Sequence, residues 1–99
     1  MVKLIMGLPK KVTILGREYL VKEKSYGSSK DDMFGDVDYI KKVIFINKSL
    51  PTNEKELAFY HETVHIAFHV TGIAQILPEK LIEVICETTA NLMMDIKIR

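Results

Sequence analysis

Sulfur chemistry is nearly missing from this chain: Cys86 is its one cysteine, so no disulfide can close within it, and the thiol fits a reducing compartment. Cys86 itself reads as a small buried apolar residue. Charge of either sign is not in surplus. Fourteen Lys and Arg stand against thirteen Asp and Glu, a net charge of +1, which argues against a nucleic-acid or membrane-surface role. Long hydrophobic runs are lacking too. The opening Met1-Val2-Lys3-Leu4-Ile5-Met6-Gly7 is too short for a signal peptide or a membrane span, so a cytoplasmic protein is expected. With three prolines and five glycines there is no repeat, linker or low-complexity tract. What is left is an ordinary globular composition, 47% hydrophobic and 27% charged, over 99 residues, enough for one domain spanning 1–99 and too little for two.

The first half carries β signals. Val12-Thr13-Ile14-Leu15 and Tyr19-Leu20-Val21 flank Gly16-Arg17, turn chemistry that joins a hairpin. Residues 25–32 are small and polar and read as a loop that could overhang a cleft. Asp36-Val37-Asp38-Tyr39 and the β-branched Val43-Ile44-Phe45-Ile46 make a second hairpin. The second half carries helix signals. Asn53 with Glu56 three residues on forms a capping box, and Gly72 supplies a left-handed end. Pro78 opens a second helix that runs to about Ile96, with Leu81, Ile85, Leu92 and Ile96 as its apolar stripe. The first helix is apolar nearly all round and so belongs between the sheet and the second helix. The expected fold is therefore α+β: a small antiparallel sheet of about four strands followed by two packed helices.

Within the first helix lies Tyr60-His61-Glu62-Thr63-Val64-His65-Ile66. Residues four apart share one helix face, so His61 and His65 can offer two imidazole nitrogens to one zinc ion. Glu62 is rotated about 100° from His61, beside the metal rather than on it, where a general base belongs. Uncharged Thr63 and Val64, with apolar Phe59 and Ile66 outside them, do not suit a solvated surface helix. The pattern suits metal-assisted hydrolysis of a peptide bond. His69 continues the row, but His61 and His69 are about 12 Å apart along a straight helix and cannot share an ion. His69 then reads as a polar flank near Glu62 and Tyr39 and Tyr60 as packing residues, with oxyanion stabilisation the alternative role for each.

A catalytic zinc needs a third protein ligand. Glu83, Glu87 and Asn91 follow each other at helical spacing on the second helix, and Ala90 and Met94 on the same face argue that it is covered. If the helices pack antiparallel, counting about 13 Å back from Gly72 and forward from Pro78 reaches Glu87. Glu83 lies about 6 Å nearer the connection and is the alternative. Asn91 would then hydrogen-bond a ligating histidine from behind.

From Val43 to about Met94 these residues resemble the gluzincins, zinc peptidases with two histidines on one helix and a glutamate on the next, and specifically the ImmA/IrrE-type and minimal soluble members. Val43-Ile44-Phe45-Ile46-Asn47, His61-Glu62-Thr63-Val64-His65 and Glu87-Thr88-Thr89-Ala90-Asn91 carry the resemblance. It implies a zincin-like fold, Zn2+ on His61, His65 and Glu87, and Glu62 as catalytic base. It also implies that Val43 to Asn47 rims the cleft and pairs with an extended peptide or protein substrate. The chain departs in having Thr89 where the family often has an acidic residue, and in supplying no further domain for substrate pockets, which points to a latent or partner-dependent activity. The contrasting expectation is a zinc-stabilised binding module that engages a protein through the Val43–Asn47 edge without chemistry. Glu62 favours the enzyme, since a purely structural metal has no use for it.

Overall fold

The computed structural model describes residues 8–27 and 33–96. The opening apolar run and most of the loop expected over the cleft, residues 28–32, lie outside them. Strand β1 (Lys11–Ile14) and strand β2 (Arg17–Lys24) form the first hairpin, with Ile14 opposite Arg17. The two turn residues are Leu15 and Gly16, with φ of 48° and 85°, rather than Gly16-Arg17. A two-residue hairpin turn of this hand needs positive φ at both positions, so the leucine takes up a conformation that glycine would hold at less cost.

Strand β3 (Gly35–Asp38) and strand β4 (Val43–Asn47) form the second hairpin. The sheet order is β1-β2-β4-β3, and β2 runs parallel to β4, pairing Leu20 with Val43 and Lys24 with Asn47. The four strands and two hairpins are as expected, while the seam between the hairpins makes the sheet mixed rather than antiparallel. Burial explains the placing of β4. Val43, Ile44, Ile46 and Asn47 are all buried, the near-continuous pattern of an interior strand covered on both faces. The exposed edge expected at Val43–Asn47 therefore does not exist, because β2 and β3 occupy both sides. Asn47 in particular is a structural stitch. Its side chain donates to the Met33 carbonyl (2.7 Å) and accepts from the Ser49 N–H (2.9 Å), while its N–H donates to the Phe34 carbonyl.

Helix α1 (Thr52–Thr71) packs on the sheet through Ala58, Phe59 and Ile66, which meet Tyr19, Ile44 and Ile46 in one core cluster. Burying each of these isoleucines contributes on the order of 2 kcal/mol. Pro51, with φ of −62°, stands at the N-cap and no side chain caps the helix, so the Asn53–Glu56 box does not form; Glu56 is buried instead. Gly72 ends the helix at φ 82°, its N–H on the His69 carbonyl, as expected. A 3-10 turn at Ile73–Gln75 leads to Pro78 and helix α2 (Glu79–Asp95).

Helix α2 packs on α1 through Ile82, Cys86 and Ala90. The expected stripe is wrong: Leu81, Leu92 and Ile96 are 44%, 56% and 69% exposed. The helix carries two apolar stripes, and the one with smaller side chains permits the closer approach and turns Glu83 and Glu87 toward the histidines. Among the described residues, no helix is long and apolar enough to cross a membrane.

Candidate metal centre

His61 and His65 present their Nε2 atoms to each other at 3.1 Å, one turn apart on α1. Glu83 of α2 reaches both, with Oε2 3.1 Å from His65 Nε2 and Oε1 3.5 Å from His61 Nε2. Glu87 approaches the other nitrogen of His61, Nδ1, at 3.1 Å. The carboxylate spanning both histidines is thus that of Glu83, the alternative of the sequence count, and the first choice, Glu87, stands behind the His61 ring. Glu83 lies one helical turn, ~5.4 Å, nearer the connection than Glu87, and that connection includes the 3-10 turn at Ile73–Gln75. Asn91 follows Glu87. Its side-chain amide donates to the Glu87 carbonyl (2.8 Å) and to Oε2 (3.3 Å) rather than to a histidine.

The donor set fits a metal ion. Donors about 2.0–2.1 Å from a tetrahedral centre lie about 3.3 Å from one another, in the range of the three Nε2 and carboxylate separations. The His61 tautomer that donates Nδ1–H to Glu87 directs an Nε2 lone pair toward the acceptor-only oxygens of Glu83. These atoms could hold a cation among them. Burial holds the His65 imidazole below its ordinary value, which keeps it in the neutral, ligating form, against a smaller opposing effect of Glu83.

Glu62 lies 8% exposed on α1 beside this cluster. Burial, then the charges of Asp36 and Glu83, push its carboxyl up from 4.5 to about 7. The group sits in a cleft of about 530 Å³. Strand β3 with Met33 and Phe34 forms one wall of it, α1 the floor, and Glu83 and Glu87 the other wall. Among the described residues, strand β3 is the sheet edge on this side, so the backbone rim of the cleft is Gly35–Asp38 rather than Val43–Asn47. Tyr39 also lines the cleft, its hydroxyl held protonated and pushed up to about 12 by burial and then by Glu62. It stacks on His69, ring centroids 4.0 Å apart. The sequence reading passed over Asp36, a strand residue whose charge acts on Glu62. The available signal was a carboxylate in a short strand leading toward the helix that bears the motif.

A family model for IrrE N-terminal-like domains, a peptidase family, matches residues 17–94. The chain belongs to this family. As a member it is a peptidase-like domain, and its two helices with their His and Glu donors form a group able to hold a metal. The match begins at β2 and ends within α2, so it takes in every residue of the cleft. Searches of curated proteins and of solved structures found no match.

Proposed function

We propose that this protein is a zinc-dependent peptidase in which His61, His65 and Glu83 hold the ion and Glu62 is the general base. The observation that supports it most is the set of three donors at tetrahedral spacing beside a buried carboxylate poised near neutral pH. Bound there, zinc would polarise the scissile carbonyl and make a water acidic enough to lose its proton near neutral pH. Glu62 takes that proton at its carboxylate and returns it to the leaving amine, the work for which a pKa near the operating pH is best suited. Glu87 fixes the His61 ring through Nδ1, and Asn91 holds Glu87.

Substrate is an extended peptide lying along the Gly35–Asp38 edge, which pairs outward with no strand among the described residues and so can add one. Tyr39 offers an O–H donor from the same wall, toward charge that develops on the carbonyl oxygen. The test is a proteome-derived peptide digest with the zinc-loaded protein beside its Glu62→Gln variant. Cleavage products confined to the parent support the reading, and no cleavage by either, with zinc bound stoichiometrically, overturns it.

A further inference from the structure

A second cavity, of about 220 Å³, adjoins the cleft and shares Tyr39 with it as a lining residue. Its other walls are Arg17 at the start of β2, Lys42 just before β4, His69 one turn beyond His65, Tyr19 and Val70. Three of these six residues are basic and none is acidic, in a chain whose acids and bases nearly balance. Among the described residues, no carboxylate lies within ion-pair distance of Arg17 or Lys42. The ion pairs there involve Lys11, Lys55, His61 and His65. Arg17 reaches only the Leu15 carbonyl, at 3.3 Å. Asp38, close to Lys42 in sequence, is occupied in its own turn by the N–H groups of Ile40 and Lys41.

Two further features describe its walls. Lys42 has φ of 57°, a left-handed conformation disfavoured for a long side chain and cheaper for glycine or asparagine. Lys42 closes the turn between β3 and β4, and that turn sets the conformation. The His69 ring stacks at 26° on Tyr39, the residue that lines both spaces.

We propose that this cavity is a subsite for an acidic side chain of a peptide bound in the cleft, an assignment that rests on the peptidase reading above. Arg17 and Lys42 supply the charge, Arg17 being able to bind a carboxylate through two parallel N–H donors. The ring nitrogens of His69 add a polar contact, and Tyr39, whose hydroxyl serves the cleft, links the occupied subsite to it. The substrate class is therefore peptides with Glu or Asp at one fixed position from the scissile bond. A free inorganic anion offers the same charge, and the test separates the two.

The test uses the zinc-loaded full chain with Glu62→Gln, so that nothing is cleaved. Blocked hexapeptides with Glu scanned through each position of an alanine host, their Gln counterparts, and sodium sulfate are titrated against backbone amide signals. At one position the Glu peptide is expected to bind at least about tenfold more tightly than its Gln partner, the size of one charge-assisted hydrogen-bonded contact. It should shift the signals of Arg17, Lys42 and His69 together with Asp36 in the cleft. Arg17→Gln and Lys42→Gly should each erase that preference and leave the Gln peptides unaffected. Lys42→Gly keeps the fold testable, because glycine accepts the local φ without strain. No Glu preference at any position overturns the subsite, as does a preference that survives both variants. So does sulfate binding as tightly as the best peptide without shifts in the cleft. A Glu preference in a protein that proves to cleave nothing keeps the acidic subsite and removes the peptidase reading, so the two fail separately.

Discussion

Glu87 lies 3.1 Å from Nδ1 of His61, on the other side of the imidazole from the nitrogen that faces Glu83 and His65. On the proposed reading, that relationship makes Glu83 a ligand and Glu87 an orienting partner. Glu83→Ala is expected to empty the site, since two histidines alone leave the ion without its third donor. Glu87→Ala should keep stoichiometric zinc and weaken it by about 10–100-fold, the range for loss of a partner that orients a ligating histidine. Zinc titration against a competing chelator measures both. If Glu87→Ala empties the site and Glu83→Ala does not, the assignment is reversed.

Counting along the sequence favours Glu87, while the geometry favours Glu83. Within one helix, spacing is geometry, so His61, Glu62 and His65 could be placed relative to each other from the sequence alone. Between helices, register depends on how residues 72–78 fold, and nothing in Gly72-Ile73-Ala74-Gln75-Ile76-Leu77 announces a 3-10 turn. Strand pairing failed for a related reason. Both hairpins were legible, because each is local, but the order of the two in the sheet is a long-range choice. The clue was present in Val43-Ile44-Phe45-Ile46, whose lack of polar alternation marks an interior strand. The capping box at Asn53 was a valid local pattern that the extended Pro51 pre-empted.

The edge strand depends on Gly35 having no side chain. A Cβ there would overlap the carbonyl oxygen of Phe45 on the paired strand. Gly35→Ala is expected to lower stability by about 1–3 kcal/mol, the usual cost of overpacking against an unyielding neighbour. Urea unfolding checks this, and an unchanged midpoint would show that β3 can move away freely.

Leu15 offers the opposite case. It is 55% exposed and holds φ of 48°, so its side chain contributes little packing while its backbone is disfavoured. Leu15→Asn should raise stability by about 0.5–1 kcal/mol, since asparagine tolerates the left-handed region and Asn-Gly is a preferred turn pair. A thermal melt at neutral pH decides it, and a lower melting temperature would mean that Leu15 packs in solution.

Glu62 is expected to cost stability for the sake of its role. Its carboxyl is raised from 4.5 to about 7 in the folded chain, chiefly by burial. Between those two pH values the folded state keeps a proton that the unfolded state has released, so unfolding releases a proton and stability falls as pH rises. Below pH 4.5 both states are protonated and the penalty vanishes; above pH 7 it is complete, on the order of 3 kcal/mol. Glu62→Gln has no proton to lose. In chelator, the variant should therefore match the parent near pH 4.5 and exceed it progressively up to pH 8, as read by urea unfolding at each pH. Adding zinc should shrink the difference at pH 8, because a cation beside the carboxylate favours its charged form. The variant should bind zinc as the parent does and lose turnover by at least about 100-fold, since an amide cannot take up the proton of the attacking water. A stability difference that is flat from pH 4.5 to 8 would mean that Glu62 ionises in the folded chain as it does in water, and a base poised near neutral pH would go with it.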